Sequence, residues 1–242
     1  MLKIDLHIHT VASGHAYSTI LESARYANSV GVEVIAITDH GPSMDGSSLP
    51  GYFGNMGRIP RKMCGVNILM GCEANVIDLS GKVDLGVDII DGLDIILVGL
   101  HKLTPYPSNS SLSDNTNALI SAITNHKVHV VSHPYRPDFP VDIIELVRAA
   151  SGQGVVLELN LSLLKLFSND KELLKQINLM IEAAEKMRVK IAVSSDAHIA
   201  TEIGDDSVLS DLHIQIPKGL LLGGQDGYNE IKEFLTSRGR IK

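Results

Sequence analysis

The sequence begins with MLKIDLHIHT (residues 1–10), and this stretch decides how the rest of the chain is interpreted. It places Asp5, His7 and His9 at every second position, with apolar residues between them. Because alternate side chains of a β-strand share a face, one face of this strand is expected to carry a carboxylate and two imidazoles. Burying such a polar row costs several kcal/mol per group unless something pairs with it. Imidazoles and a carboxylate suit zinc, manganese or iron, so the pattern favours a metal-binding strand over a surface strand with two ordinary histidines.

Polar side chains also end most of the later strand-type segments. These segments are 32–40 (VEVIAITDH), 66–77 (VNILMGCEANVI), 94–101 (DIILVGLH), 128–134 (VHVVSHP), 155–160 (VVLELN) and 190–198 (KIAVSSDAH). Helix-type segments lie between most of them, and polar groups at the carboxyl ends of strands are typical of a parallel α/β barrel. In the alternative, a doubly wound open sheet, only a few strands contribute to the site. We therefore predict an α/β fold, a distorted seven-stranded (β/α)7 TIM-like barrel, with 212–222 as a weak candidate for an eighth strand.

Nine side chains in or near these strand ends form the candidate metal-binding set. They are His7, His9, His15, His40, Glu73, His101, His133, Asp196 and His198. Each one alone has an ordinary structural explanation, but seven histidines and two carboxylates at one barrel mouth exceed the needs of one tetrahedral ion. They fit two or three ions with a bridging carboxylate. The remaining histidines, His126, His129 and His213, are expected to be ordinary surface or capping residues.

Composition excludes several classes of function. The formal net charge of −7 argues against electrostatic binding to long nucleic acid or to an anionic membrane, although it leaves room for a small basic pocket. No apolar run reaches transmembrane length, and the N-terminus lacks a secretion signal, so we expect a cytoplasmic protein that does not bind membranes. The two cysteines, Cys64 and Cys72, lack metal-site spacing and are expected to be free thiols.

One long segment, about 41–65, is rich in Gly, Ser and Pro and shows no clear periodicity. So long a loop in a compact domain is usually functional or disordered, and its position after His40 favours a lid over the site. The predicted organisation is a single domain over 1–242 with this lid-like loop. Four basic residues are candidates for holding a phosphate or are simply surface charges: Arg58, Arg61, Lys102 and Arg136.

The motifs DLHIHT (5–10), TDH (38–40), SHP (132–134) and SDAH (195–198), in this order, resemble the PHP (polymerase and histidinol phosphatase) family. The intermediate motifs GHAYST (14–19), GCEAN (71–75) and GLH (99–101) are similar to its stand-alone branch, the YcdX-type phosphatases. The resemblance runs from Met1 to about Ile203.

The resemblance implies three divalent metal ions, zinc first and manganese or iron as alternatives, in a seven-stranded barrel. One ion would be held by His7, His9, Asp196 and Glu73. A second, bridged through Glu73, would be held by His101 and His133, and the third by His15, His40 and His198. Asp5 and Asp39 would then stand behind the ligands, where each could orient an imidazole through its free N–H.

Phosphoester hydrolysis suits such a cluster, because adjacent metals lower the pKa of a bound water and offset charge on the phosphate. We expect a metal-activated hydroxide to attack a small phosphomonoester in line, with Asp39 as a candidate proton carrier. Three alternatives stay open. They are amidohydrolase-like hydrolysis at the same centre, nuclease or nucleotide phosphatase activity, and a non-enzymatic metal-binding module.

Overall fold

Seven parallel strands form a nearly closed ring in the computed structural model, which describes residues 1–237. The described residues form eight strands, and all but β3 belong to the ring: β1 (Ile4–Ile8), β2 (Val34–Ile37), β3 (Lys62–Met63), β4 (Val66–Asn75), β5 (Ile95–Gly99), β6 (Val130–Val131), β7 (Val156–Asn160) and β8 (Ile191–Ser194). The ring has the order β1-β2-β4-β5-β6-β7-β8, and β3 pairs antiparallel with β4 outside it. The ends of the ring meet where the His9 amide donates to the Ala197 carbonyl at 2.9 Å. The predicted (β/α)7 TIM-like barrel is confirmed.

Helices follow most of the strands. They are α1 (Ile20–Ser29), α2 (Pro50–Gly54), α3 (Val87–Gly92), α4 (Leu112–Asn125), α5 (Ile143–Gln153), α6 (Leu161–Leu166), α7 (Lys171–Met187), α8 (Ser207–Asp211) and α9 (Tyr228–Ser237). Residues 212–222 contribute a single bridge, Leu221 to Ile191, and no eighth ring strand. Residues 238–242, which the predicted domain includes, lie outside the described residues. None of the helices in the described part of the chain combines the length and apolar character needed to cross a membrane.

Local sequence signals set the helix starts. Thr19 and Glu22 form a reciprocal capping box at the start of α1, in which the Thr19 hydroxyl accepts from the Glu22 amide and the Glu22 carboxylate accepts from the Thr19 amide. Ser111 and Asp114 do the same for α4. These short side chains satisfy amides that the first helical turn leaves without a partner.

The strand side chains divide into two apolar layers. The outer layer packs against the helices, and the inner layer fills the barrel with small and branched residues from the strands. Leu222, Ile231 and Leu235 from the chain's tail belong to this inner layer. Lys190, just before β8, pairs with Glu230 of α9 at 2.8 Å. The tail therefore closes the barrel at the amino ends of its strands.

A β-bulge in β1 changes which side chains face the barrel interior. Asp5 pairs with Ile35 but Ile8 pairs with Ile37, so three steps along β1 oppose two along β2. Leu6 therefore belongs to the inner layer and Ile8 to the outer one, although simple alternation would put them on the same face. The expectation that Asp5 shares a face with His7 and His9 is wrong, because the extra residue reverses the alternation between them.

Candidate metal centre

The nine predicted side chains meet at the carboxyl ends of the strands, and Glu73 in β4 lies at their centre. Its Oε2 lies 3.2 Å from His7 Nε2 and 2.9 Å from His40 Nδ1. Its Oε1 lies 3.0 Å from His101 Nε2 and 2.9 Å from His133 Nε2. One carboxylate therefore touches histidines from both sides of the cluster, as a bridging ligand would.

The first group of ligand atoms lies at the end of β1. The Nε2 atoms of His7 and His9 are 2.9 Å apart, and Asp196 Oδ1 lies 3.0 Å from His9 Nε2. A second group joins His101 and His133, whose Nε2 atoms are 3.2 Å apart and share Glu73 Oε1.

The third group lies on the outer side of the cluster. The imidazole ring of His15 stacks on those of His40 and His198, with centroids 5.1 and 5.0 Å away. His9 also stacks on His40 at 4.3 Å, so this group is continuous with the first. The ligand atoms of His9, His40 and His198 all lie within 4.8 Å of one another.

Burial and neighbouring charges shift the pKa values of these groups. Burial disfavours the charged form of His7, but the carboxylates of Glu158, Glu73 and Asp196 outweigh it and raise the pKa of His7 well above its usual value. Burial also opposes ionisation of Glu73, yet the surrounding histidines hold its pKa well below the usual range. Burial lowers the pKa of His101 to about 3, which keeps its imidazole neutral.

The donor set fits divalent cations. Glu73 Oε2 and His40 Nδ1 are buried and 2.9 Å apart, yet neither has a hydrogen-bond partner among the described residues. Three groups of His, Asp and Glu ligand atoms converge within 4.8 Å: His7, His9 and Asp196; His9, His40 and His198; and His40, Glu73 and His101. Neutral imidazoles and carboxylates at this spacing are the ligands of zinc, manganese and iron.

Two of the ligand candidates have left-handed backbone, which is uncommon outside glycine. His133 has φ of 29° and Asp196 has φ of 55°. Such strain costs on the order of 1–3 kcal/mol per residue and clusters at functional sites. At Gly99, an added Cβ would lie 2.8 Å from His101 Cε1 and 2.5 Å from the Ser132 hydroxyl. This glycine leaves the room that the His101 ring occupies.

Glu158 of β7 is a site residue that the sequence analysis did not select. Its Oε1 lies 2.7 Å from His7 Nδ1, and its Oε2 accepts from the His133 amide at 2.9 Å. Asn160 Nδ2 donates to Glu158 Oε2 and to Asp196 Oδ2, each at 3.1 Å. The sequence did contain a signal for Glu158: the segment 155–160 (VVLELN) ends in the polar residues Glu158 and Asn160, just as the other strands end in polar residues.

Asp39 and Asp5 occupy different places behind the ligands. Asp39 is fully buried and accepts from the hydroxyls of Thr10, Ser13 and Tyr52 at 2.7–3.1 Å. Ser13 Oγ lies 3.0 Å from His9 Nδ1, so Asp39 reaches an imidazole through a hydroxyl. Asp5 contacts no imidazole; its two oxygens accept from the amides of Ser195 and Gly204, each at 3.0 Å.

The four basic candidates are spread over the molecule. Arg61 forms an ion pair with Asp94, which immediately precedes β5, so it lies at the amino end of the barrel and the expectation of a phosphate contact for it is wrong. Lys102 Nζ lies 2.6 Å from Asp138 Oδ1, and Arg136 Nη2 lies 3.7 Å from Asp138 Oδ2. Arg58 is exposed and lines a surface groove beside Thr10 and Tyr52.

The segment 41–65 is more ordered than its sequence suggests, since it contains α2, a 3₁₀ turn at Met56–Arg58 and β3. Several contacts attach it to the site. The Tyr52 hydroxyl donates to Asp39, the Ser48 hydroxyl to the Ala12 carbonyl, and the Asp45 amide to the Leu103 carbonyl. The segment thus lies beside the metal centre, and its role as a lid stays a prediction.

The remaining sequence expectations concern cysteines and histidines. Both cysteines are free, with Cys72 buried in the outer layer and Cys64 exposed. His213 is exposed, as expected for a surface residue. His129 differs, because it is fully buried at the amino end, accepts from the Ile96 amide and packs against Phe234.

Comparison with known proteins gives consistent matches. The family model described as PHP domain matches residues 5–233. A protein named probable phosphatase from Caldanaerobacter subterraneus is 40% identical over 239 residues, covering 98% of this chain and 92% of that protein. Another of that name from Thermoanaerobacter sp. (strain X514) is 39% identical, covering 99% and 96%. The fold is similar to that of histidinol phosphate phosphatase from Lactococcus lactis, solved with zinc, L-histidinol and phosphate, at a TM-score of 0.61, 16% identity and coverage of 98% and 94%.

Proposed function

The chain belongs to the PHP domain family and is a metal-dependent hydrolase, and from that premise we propose that it hydrolyses small phosphomonoesters at a centre of three divalent cations. The observation that carries the proposal is the convergence of seven histidines and the Asp196 carboxylate around Glu73. The relatives named probable phosphatase and the zinc-bound histidinol phosphate phosphatase support the choice of a phosphate ester as substrate. Zinc is the first expectation, with manganese and iron as alternatives.

We propose that the ligands are divided among three ions as the family resemblance implies, and the close pairs His7–His9 and His101–His133 support this division. His7, His9 and Asp196 would hold the first, and His101 and His133 the second, with Glu73 bridging the two. His15, His40 and His198 would hold the third. Bound divalent ions supply a water of lowered pKa and offset the negative charge of the phosphate.

The protein's own contribution includes fixing the imidazole tautomers. Ser13 donates its hydroxyl proton to Asp39, so its oxygen accepts from the Nδ1–H of His9. The carboxylate of Glu158 likewise accepts from the Nδ1–H of His7. Both histidines therefore direct Nε2 at the centre, where it would bind a cation in place of a proton.

We assign Asp39 to this orienting role instead of proton transfer, because its carboxylate is fully buried and engaged by three hydroxyls and the Thr10 amide. Lys102 and Arg136 follow His101 and His133 and are the basic side chains that we propose for phosphate contacts on that flank. To contact the phosphate, each of them would have to give up its ion pair with Asp138. Arg58 is a further candidate at the segment 41–65.

Two measurements test the proposal together. Elemental analysis of protein purified without chelator should give about three ions per chain, mostly zinc, manganese or iron. The loaded protein should release inorganic phosphate from phosphomonoesters, and less readily from phosphodiesters or amides. One ion or none after metal is added back, or turnover of amides and diesters only, would contradict the proposal.

A further inference from the structure

His15 differs from the other ligand candidates in how the fold positions it. The others lie within a strand or shortly after one, whereas His15 comes well beyond the end of β1, after a 3₁₀ turn (Val11–Ser13). Its ring reaches the centre by stacking on the rings of His40 and His198. The position of His15 therefore depends on the loop between β1 and α1, residues 9–19, and on what holds that loop.

The third group of ligands is also the part of the centre that faces solvent. His7, His9 and Glu73 are almost completely buried. By contrast, His15 is exposed and the His198 side chain is 28% exposed. The centre opens to solvent on this side, so close packing within a core does not hold His15 in place.

The backbone of the loop 9–19 passes directly against that of residues 41–48, the first part of the segment 41–65. The two backbones meet at Gly14 and Gly46, whose φ angles are 80° and 85°. A Cβ atom at Gly14 would lie 2.2 Å from the carbonyl oxygen of Gly46 and 2.5 Å from its carbonyl carbon. Position 14 therefore requires glycine, both for its left-handed backbone and for the close approach.

Hydrogen bonds join the same two segments beside this contact. The Ser48 hydroxyl donates to the Ala12 carbonyl at 3.0 Å. The His40 amide donates to the Ser13 hydroxyl at 3.1 Å, and the Ser47 hydroxyl donates to the His40 carbonyl. The residues just before one ligand of the proposed third ion are thus tied to the residues just after another.

Residues 41–48 are in turn attached to the barrel. The Gly41 amide donates to the Glu73 carbonyl of β4 at 2.9 Å. The Asp45 amide donates to the carbonyl of Leu103, in the loop after β5, at 3.1 Å. This short stretch is therefore fixed at both β4 and β5, and it offers the loop 9–19 a stationary surface.

We propose that residues 41–48 are a brace that positions His15 for the third ion, through the contact between Gly14 and Gly46. The inference rests on the three-ion centre proposed above and gives the first part of the segment 41–65 a fixed role instead of that of a lid. Site residues have to be held to within about 0.5 Å of their working geometry. The brace supplies this precision to the ligand candidate that lies farthest from a strand end, whereas the first two ions rely on ligands at strand ends.

The main test is Gly14→Ala. Non-bonded carbon atoms prefer separations of about 3.5–4.0 Å, so the added Cβ forces the two backbones apart by roughly an ångström. When the metal-free protein is loaded with zinc and freed of excess metal, elemental analysis should show a loss of about one ion per chain relative to the wild type.

Gly31→Ala is the matched control for strain. Gly31 has φ of 79°, almost the same as Gly14, but its added Cβ would have only the Lys3 Nζ within 4 Å, at 3.7 Å. Both variants place alanine in left-handed backbone and should lower the thermal midpoint of unfolding. Gly31→Ala should nevertheless keep the zinc content of the wild type.

Ser48 allows the brace to be weakened without a steric clash, and it decides the question if Gly14→Ala does not fold. Ser48→Ala removes the hydrogen bond to the Ala12 carbonyl, and the affinity for the last zinc ion, measured in competition with a chelator, should fall by about tenfold. Ser48→Thr keeps a hydroxyl and should restore the affinity. Ser29→Ala removes a similar bond, to the Tyr26 carbonyl in α1, and should leave the affinity unchanged.

The outcomes separate the brace from the function on which it rests. A full zinc content in Gly14→Ala, or an unchanged last affinity in Ser48→Ala, overturns the brace and leaves the three-ion phosphatase intact. An equal loss of zinc in Gly31→Ala also overturns it, because general destabilisation would then account for the loss. A wild type that takes up only two ions or fewer overturns the brace together with the three-ion centre.

Discussion

The two ends of the same barrel are built on opposite principles. At the amino end, Leu222, Ile231 and Leu235 close the interior with apolar side chains, and they pack against the apolar inner layer of the strands. At the carboxyl end, the strands end in buried imidazoles and carboxylates, with left-handed backbone at His133 and Asp196. Apolar burial stabilises the first end, whereas the second carries desolvated polar groups that destabilise the protein until a partner compensates them.

This contrast shows how one fold separates stability from chemistry. In barrels of this type the carboxyl-end loops carry the site, and the opposite face maintains the structure. Substitutions at one end should change metal binding and turnover at nearly constant stability. Substitutions at the other should change stability at nearly constant turnover.

The largest expected effect is at the carboxyl end. His101→Ala removes a ligand of the proposed second ion, so metal content should fall and kcat/KM for a phosphomonoester should drop on the order of 10³-fold. Elemental analysis and phosphate release measure the two together. His213→Asn is the control, since His213 is exposed with left-handed backbone that asparagine tolerates. Full turnover and full metal content in His101→Ala would contradict the assignment of metal binding and turnover to the carboxyl end of the barrel.

The next effect is at the amino end. Ile231→Ala empties a buried position of the inner layer and should lower the free energy of unfolding by about 2–5 kcal/mol. Denaturant unfolding measures the loss. Glu233→Ala, on the exposed side of the same helix, should change stability by less than about 0.5 kcal/mol. The metal content of folded Ile231→Ala should match that of the wild type, and loss of metal there would show that the two ends are coupled.

A smaller effect tests whether Glu158 positions His7 or is only a buried carboxylate near it. Glu158→Gln replaces the carboxylate that holds His7, and metal affinity should fall by about 10- to 100-fold in competition with a chelator. Asp5→Asn is the matched control, because Asp5 is an equally buried carboxylate whose two oxygens accept from the amides of Ser195 and Gly204 instead of an imidazole. It should cost stability and leave metal affinity unchanged. Equal affinities in the two variants would show that Glu158 does not position His7.

The smallest effect is expected for substitutions of the basic side chains Arg61 and Arg136. Arg61→Ala acts at the amino end, so KM for a phosphomonoester should stay within about twofold of the wild type. Arg136→Ala, beside the centre, should raise KM more than that, since the side chain is proposed to contact phosphate. Steady-state kinetics on both variants decide between them, and a larger KM change in Arg61→Ala would contradict its placement.

Much of the barrel could be predicted from the sequence because its signals are local. The β-branched runs, the capping residues Thr19 and Glu22, and the polar strand ends each act over a few residues. In a parallel barrel all carboxyl ends lie on one face, so strand-end residues at positions as distant as His7 and His198 had to meet there. The alternation of the first strand gave the wrong face for Asp5 and Leu6, because a pattern with a period of two does not reveal a bulge.

Contacts between distant segments could not be predicted in the same way. Glu158 and His7 are 151 positions apart, and nothing in VVLELN indicates which imidazole its carboxylate would meet. Arg61 shares the segment 41–65 with residues at the site, yet β3 carries it to the opposite end of the barrel. The tail sequence shows an amphipathic helix but not that it would close the barrel.

The sequence by itself determined the class of fold and the chemical character of the centre, since both follow from short-range periodicity and from the residue types at strand ends. Only the tertiary structure decided which groups touch, which carboxylate orients which histidine, and on which side the centre opens. The physical reason is that periodicity fixes the direction of a side chain within its own element. Partners and exposure depend on how separate elements pack, and that packing is a property of the whole chain.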